Sequence, residues 1–319
     1  MNHFSFSNLP TPVQHLEHLG NKLGYPNLYI KRDDLTGLEF GGNKTRKLEY
    51  VIWDAISKNA DVIVTVGGLQ SNHARQTAAV CARFHIKCVL ILTRGDSENP
   101  PSGNLFLNTL FGADVVLCDT TNKDETIAMV MNRIKSVGQN GYFIPLGAST
   151  SIGAYAYKNA FFELSEQHSN FDVIVLASGS GGTQAGLIHG AHCKNWQGRI
   201  YGVSILFDQQ SLQGFVNPLL AEMATYDGVE AVSADKVLID DGFLGGGYGV
   251  MGDLEKKAIL VFAREEGILL DPVYTGRAAG AMMELMDKGE FNKKDRILFW
   301  HTGGTPAIFC EKYRTFLLS

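Results

Sequence analysis

Cysteine is scarce and scattered: Cys81, Cys88, Cys118, Cys193 and Cys310 are odd in number, far apart and without a CxxC pair. Such spacing excludes a disulfide framework and fits small buried hydrophobes in a reducing compartment. No apolar run reaches the ~20 residues of a membrane span, and the first residues hold no apolar signal core, so a cytoplasmic protein without a membrane partner is expected. An excess of positive charge is missing too. With 28 Lys+Arg against 33 Asp+Glu the formal net charge is -5, and no like-charge run forms a tail, which leaves no basic field for nucleic acid. Several catalytic signatures are absent as well. There is no HExxH, no GxSxG and no metal-spaced Cys/His cluster, so His73, His189, His192 and His301 are not read as metal ligands and no metal is expected. A GxGxxG starting at Gly179 breaks at Gln184, and a Walker A motif ending at Gly186 has Leu187 where its lysine must stand.

The remaining composition is that of a globular protein, 45% apolar and 19% charged, and 319 residues suit one large or two interleaved domains. Apolar runs of four to six residues alternate with amphipathic stretches. Strands are predicted over residues 28–30, 62–66, 88–92, 114–117, 172–176, 200–205 and 296–300. Helices are predicted over 45–58, 72–84, 123–137, 152–168, 183–191, 254–266 and 276–288. Short, fully apolar strands between helices point to parallel sheets covered on both faces. No repeat or low-complexity linker marks a boundary, and the best cuts are the loops near Gly41 and from Gly147 to Ser151.

One stretch organises the chain: Gly41-Gly42-Asn43-Lys44-Thr45-Arg46-Lys47-Leu48-Glu49-Tyr50, preceded by Lys31-Arg32-Asp33-Asp34. The glycines permit a tight turn, and Asn43 is a favoured helix N-cap. Lys44 then sits at a helix start, where a cation opposes the positive end of the dipole unless a phosphate or aldehyde is bound there. Read alone, the stretch is more readily a solvated basic helix with Lys44, Arg46 and Lys47 all in water. Three other turns follow strands: Gly67-Gly68-Leu69-Gln70-Ser71-Asn72-His73, the run from Ser178 to Gly186, and His301-Thr302-Gly303-Gly304-Thr305. Each is expected to open a helix, and in open α/β sheets ligands bind beyond the carboxyl ends of strands, with anions on helix N-termini. The run from Ser178 to Gly186 is the best phosphate cradle, rich in backbone and hydroxyl donors. One lysine and one such cradle suit a monophosphate that carries an aldehyde.

These motifs, with Gly247-Tyr248-Gly249 and Asp271-Pro272-Val273-Tyr274-Thr275-Gly276, occur in an order that resembles the D-cysteine desulfhydrase and 1-aminocyclopropane-1-carboxylate deaminase family of pyridoxal-phosphate enzymes. The resemblance spans nearly the whole chain. It implies a tryptophan-synthase-β-like α/β fold: two open twisted sheets flanked by helices, with pyridoxal 5'-phosphate between a large domain (1–46 and 155–319) and a small one (47–154), in a homodimer. It further implies that Lys44 bonds the cofactor's aldehyde, that Lys47 contacts its phosphate and that Gly179, Ser180, Gly181, Gly182 and Thr183 form the phosphate loop. Asn72 would bond the phenolic oxygen. Gln70, Ser71, Asn72 and His73 would surround the substrate carboxylate, with Ser71 also catalytic. Tyr248 and Tyr274 would stand near the cofactor and substrate, where a phenol moves a proton; outside such motifs each would be read as a packed core tyrosine.

The implied chemistry is β-elimination on a small amino acid, with Lys44 taking the α-proton. D-Cysteine would yield sulfide, pyruvate and ammonia; ring opening of the cyclopropane acid and elimination from cysteate are the alternatives. In the deaminase branch a glutamate typically follows the tyrosine matching Tyr274 and a leucine follows the histidine matching His301. Here Thr275 and Thr302 stand at those places, as in desulfhydrase-like members, and both are expected near the pyridine nitrogen. A protein that merely stores the cofactor would keep Lys44 but lack Ser71, Tyr248 and Tyr274, and all three are present.

Overall fold

The structure, a computed structural model, describes residues 1–94, 101–168 and 170–319. Two sheets carry the fold. The larger contains β1 (Val13–His15), β2 (Leu28–Arg32), β7 (Val173–Ser178), β8 (Arg199–Ser204), β9 (Leu238–Asp240) and β10 (Ile297–His301), in the order β1-β2-β10-β7-β8-β9. All its pairings are parallel except β1 with β2. The smaller contains β3 (Val62–Gly68), β4 (Lys87–Thr93), β5 (Asp114–Cys118) and β6 (Gly141–Ile144), all parallel, in the order β5-β4-β3-β6.

The apolar runs explain why these strands are central. Every residue of β7 and β10 is buried, and so is every residue of β3 but Gly68. Helices cover both faces of each sheet. On one side of the large sheet lie α1 (Glu17–Leu23), α9 (Asp253–Glu266) and α10 (Thr275–Asp287), whose Leu19, Phe262 and Met282 pack with Val175 and Phe299. On the other lie α6 (Ser151–Gln167), α7 (Gly182–Cys193) and α8 (Gln209–Asp227), with Tyr157, Leu187 and Leu220 around Trp300. The small sheet packs α2 (Asn43–Ser57), α3 (Asn72–Phe84) and α4 (Gly103–Leu110) on one face and α5 (Lys123–Ser136) on the other. The chain ends in α11 (Glu311–Leu318).

Predicted elements recur with shifts of one or two residues at most ends, and the helix over 72–84 is observed at the predicted bounds. The long α8 is an addition. Its buried face, Leu212, Val216, Leu219, Leu220 and Met223, keeps helical spacing, but Pro218 lies inside it and hides the pattern. The turn after β10 opens only a short 3-10 segment, Thr305–Phe309, not a full helix.

The start of α2 departs from the sequence reading in two respects. The N-cap is Gly42, at φ 122, not Asn43, whose Nδ2 instead donates to Thr183 Oγ1 at 3.0 Å. The chain is held there because Gly42 N–H donates to Asp33 O and Thr36 Oγ1, and a Cβ on Gly41 would fall 1.9 Å from Asp34 O. The basic face is also buried, not solvated: Arg46 is 3% exposed and Lys47 fully covered. Arg46 pairs with Asp33 and Glu163, and Asp33 further accepts from Thr11, Tyr157 Oη at 2.5 Å and Trp300 Nε1 at 2.8 Å. Burial pushes the Asp33 carboxyl up, but Arg46 and Lys31 outweigh it and hold the group below its ordinary value. The Lys31-Arg32-Asp33 run therefore fastens α2 to β2, α6 and β10.

Candidate active site

Parallel strands direct their carboxyl ends to one edge, and the edges of both sheets meet at a cavity of about 360 Å³. Gly67, Gly68 and Thr93 reach it from the small sheet; Ala177, Ser178 and Thr302 reach it from the large one. Of the sequence-predicted residues, Lys44, Ser71, Asn72, His73, Gly179, Ser180, Gly181, Thr183, Tyr248, Tyr274 and Thr302 line the same space. A larger, more open depression of about 680 Å³ beside Asp240, Glu255 and Arg277 holds none of them.

Lys44 lines this cavity. It takes part in no hydrogen bond or ion pair among the described residues, and burial lowers its amine to about 8. A lysine with no carboxylate partner and a depressed pKa is a nucleophile for an aldehyde. Lys47, one turn further along α2, does not line the cavity, and its Nζ donates to Gly147 O and Ser149 Oγ, both at 3.3 Å. Burial, and then the charge of Lys44, push its ammonium well below the ordinary value.

The cradle opposite Lys44 is built by the turn from β7 into α7. Gly181 is the N-cap of α7 at φ 77, a conformation that suits glycine. A Cβ on Gly182 would fall 2.6 Å from Ser149 Oγ and 2.9 Å from Lys47 Nζ, so the second glycine packs the loop onto the lysine although it does not itself line the cavity. Ser149 and Ser180 hydroxyls meet at 2.7 Å, and Gly147 leaves no room for a Cβ, which would lie 2.2 Å from Ser180 Oγ. The buried Ser178 Oγ has no hydrogen-bond partner among the described residues. Free N–H groups at a helix start, hydroxyls and absent side chains form an anion site, and the unpaired Ser178 hydroxyl awaits an acceptor. These residues fit a phosphate, and Lys44 fits the aldehyde of the same molecule.

The turn from β3 into α3 supplies the next wall. Ser71 caps α3, accepting from Ala74 N–H at 3.2 Å. Asn72 Oδ1 accepts from Asn104 Nδ2 at 3.0 Å, which orients its amide. Thr65 gives its hydroxyl proton to Ile144 O at 2.8 Å, so the 2.7 Å contact with His73 is donated by His73 Nε2. Nδ1 is left as a buried acceptor without a partner among the described residues, and burial with Lys44 and Lys47 nearby keeps the ring neutral. Such a ring cannot donate from Nδ1 to a carboxylate; the helix-start N–H groups of Asn72 and His73 can.

Tyr248 and Tyr274 close the remaining side. Their hydroxyls are 2.5 Å apart, and burial raises the pKa of both. Two predicted residues lie behind the wall. Gln70 accepts from Asn104 N–H at 2.8 Å and donates to Ser102 O, anchoring α4. Thr275, fully buried, donates its hydroxyl to Asp271 Oδ1 at 2.7 Å and accepts from Asp271 N–H at 2.8 Å, and it does not line the cavity. His301 is engaged with Leu269 O and Gly303 N–H.

Asn43, Thr93, Thr120, Lys123, Leu146, Gly147 and Leu206, none of them a sequence-predicted site residue, also line the cavity, and Ser149 supports the cradle. Their common signal is position at or just beyond a strand end or at a helix start. Folding also gathers His189, Cys193 and Asp227, whose ligand atoms lie within 4.8 Å of one another. Lys158 at 2.7 Å and Tyr155 at 2.6 Å already bond that carboxylate, which ties α6, α7 and α8 together.

The family model for pyridoxal-phosphate dependent enzymes matches residues 4–303. A curated relative, D-cysteine desulfhydrase of Yersinia enterocolitica (serotype O:8, biotype 1B), is 40% identical over 307 residues, 94% of this chain and 92% of its own. The crystal structure of an ACC deaminase homologue superposes with a TM-score of 0.91 at 35% identity, covering 99% of this chain and 95% of that one. A pyridoxal 5'-phosphate-dependent aspartate racemase, at 18% identity and TM-score 0.64 with coverage of 92% and 90%, shares the fold. With an unpaired lysine facing a glycine cradle and near-complete matches on both sides, the chain belongs to the pyridoxal-phosphate dependent enzymes, in the family that holds D-cysteine desulfhydrase and ACC deaminase.

Proposed function

We propose that the chain catalyses β-elimination on a small amino acid, D-cysteine foremost: D-cysteine and water give pyruvate, hydrogen sulfide and ammonia. The observation that carries the substrate is the 40% identity with the Yersinia desulfhydrase over 94% of the chain. Bound pyridoxal phosphate supplies an electron sink for the charge left at Cα. The chain's own groups do the rest. The Gly179 to Thr183 turn binds phosphate, with Lys47 bracing it from behind. Lys44, lowered to about 8, is available as a free amine to take the α-proton. The start of α3 holds the substrate carboxylate through backbone N–H groups and the Ser71 hydroxyl, while Asn72 orients the ring. The hydrogen-bonded Tyr248 and Tyr274 pair hands a proton to the departing sulfur. The cavity walls belong to a large part, 1–46 with 155–319, and a small part, 47–154, and we assign the enzyme to the cytoplasm as a homodimer, which sedimentation equilibrium tests.

Ring opening of the cyclopropane acid is the second reading, favoured by the ACC deaminase homologue at TM-score 0.91. Thr302, on the cavity wall where the deaminase branch typically has leucine, supports the first. Product release decides between them. Pyruvate and sulfide from D-cysteine, L-cysteine, D-serine and β-chloro-D-alanine are measured beside 2-oxobutanoate from the cyclopropane acid; faster 2-oxobutanoate formation overturns the desulfhydrase reading.

A further inference from the structure

The roles assigned so far leave one charged residue of the cavity without a task. Among the described residues lining it there is no carboxylate, and the cations are Lys44 and Lys123. Lys44 is committed to the aldehyde. Lys123 is half-buried, takes part in no hydrogen bond or ion pair among the described residues, and is the first residue of α5, where a cation opposes the helix dipole. Asp124 and Glu125 follow it in the first turn but are exposed and do not line the cavity, and Asp119 lies 3.8 Å from Arg94 Nε.

The sheet fixes where this charge sits. In the order β5-β4-β3-β6, the loop after β6 meets the phosphate cradle through Ser149 and Ser180, β3 delivers Ser71, β4 ends at Thr93, and the turn after β5 delivers Thr120 and Lys123. Neighbouring strands are roughly 4.8 Å apart, so the end of β5 is about 14 Å from that of β6. The cavity therefore has an anion cradle at one pole and a second cation, flanked by the Thr93 and Thr120 hydroxyls, at the other. A substrate held between them by its α-carboxylate on α3 directs its further substituent to Lys123. We infer that Lys123, with Thr93 and Thr120, is a specificity determinant that selects amino acids whose group beyond Cβ is anionic or readily ionised, thiol or sulfonate, over neutral ones. The inference rests on the elimination chemistry proposed above.

The test compares holoenzyme forms on D-cysteine, cysteate and β-chloro-D-alanine. Lys123→Met is expected to lower kcat/KM for the first two by about tenfold to a hundredfold, the scale of a lost charged hydrogen bond, and that for the chloride by less than about twofold. Lys123→Arg restores most of the loss. A binding measurement stands apart from turnover. Calorimetry with 3-sulfopropanoate and propanoate, neither of which has an amine to react, should show the sulfonate about tenfold tighter in the parent chain and the two alike in Lys123→Met. Equal losses on all three amino acids, unchanged selectivity, or no sulfonate preference in the parent overturns the inference. A preference for the sulfonate that Lys123→Met abolishes, in a chain that turns over none of the amino acids, sinks the elimination reading and leaves the anion pole standing.

Discussion

Lys44 differs from an ordinary surface lysine in one physical respect: burial strips its ammonium of water and no carboxylate among the described residues compensates, which lowers it to about 8. Attack on an aldehyde needs the free amine, so the rate of borohydride-trappable linkage to pyridoxal phosphate should climb with pH through about 8 and level off above it. A rate that keeps rising as an unburied lysine would require, toward 10.5, argues against this environment. Lys44→Ala should form no reducible link; a link of normal yield in that variant would move the role to another lysine. Ser71→Ala and Tyr274→Phe should each retain the cofactor while turnover drops about a hundredfold, the scale of a lost proton-transfer group. Both residues line one cavity, so unchanged turnover in both would assign them to packing.

At the scale of elements, the site depends on how α2 and the turns are seated. Asp33 accepts from four different side chains and has no exposure, so Asp33→Ala leaves Arg46 buried beside a gap. A loss of about 3–5 kcal/mol is expected in urea unfolding, as for a broken buried ion pair. Asp33 and Glu163 both have pKa values below the ordinary carboxylate range, because Arg46 and Lys31 outweigh the upward push of burial. A lowered folded-state pKa adds stability above the unfolded value and loses it as pH falls, so the denaturation midpoint should decline below about pH 4 and Asp33→Ala should flatten that decline. The cradle has a sharper vulnerability. Gly147 is at φ 68 with Ser180 Oγ in the way of a Cβ, and Gly147→Ala should weaken cofactor binding by about tenfold or more, by the scale of local backbone strain, measured by fluorescence titration.

Across the whole molecule, the two sheets share no strand, and the cavity takes walls from both. A ligand that touches both stabilises the native state by mass action, about 2.7 kcal/mol at a hundredfold excess over Kd. Scanning calorimetry of the cofactor-loaded protein should therefore show one transition moved to higher temperature. Two transitions of which only one moves would mean that the parts of the chain unfold independently and that the cofactor binds one of them.

The alternation of apolar runs with amphipathic stretches was enough to read parallel α/β sheets, because strands buried on both faces must be apolar throughout. The bounds of α3 were legible because Ser71 caps it and a left-handed residue, His85, ends it. Glycine turns marked out Lys44 and the run from Gly179 to Thr183, most of which line the cavity, since backbone approach and a misplaced cation leave marks in local sequence. Other features needed the fold. No local pattern says that Gln70 and Thr275 face backward into α4 and Asp271 while Thr302 faces the cavity. Nor does any pattern seat Lys123 opposite the phosphate cradle: that follows from the order β5-β4-β3-β6, set by which strands pair. Sequence records the chemistry each residue can perform and the element it joins; which groups share a cavity depends on contacts between segments far apart in the chain.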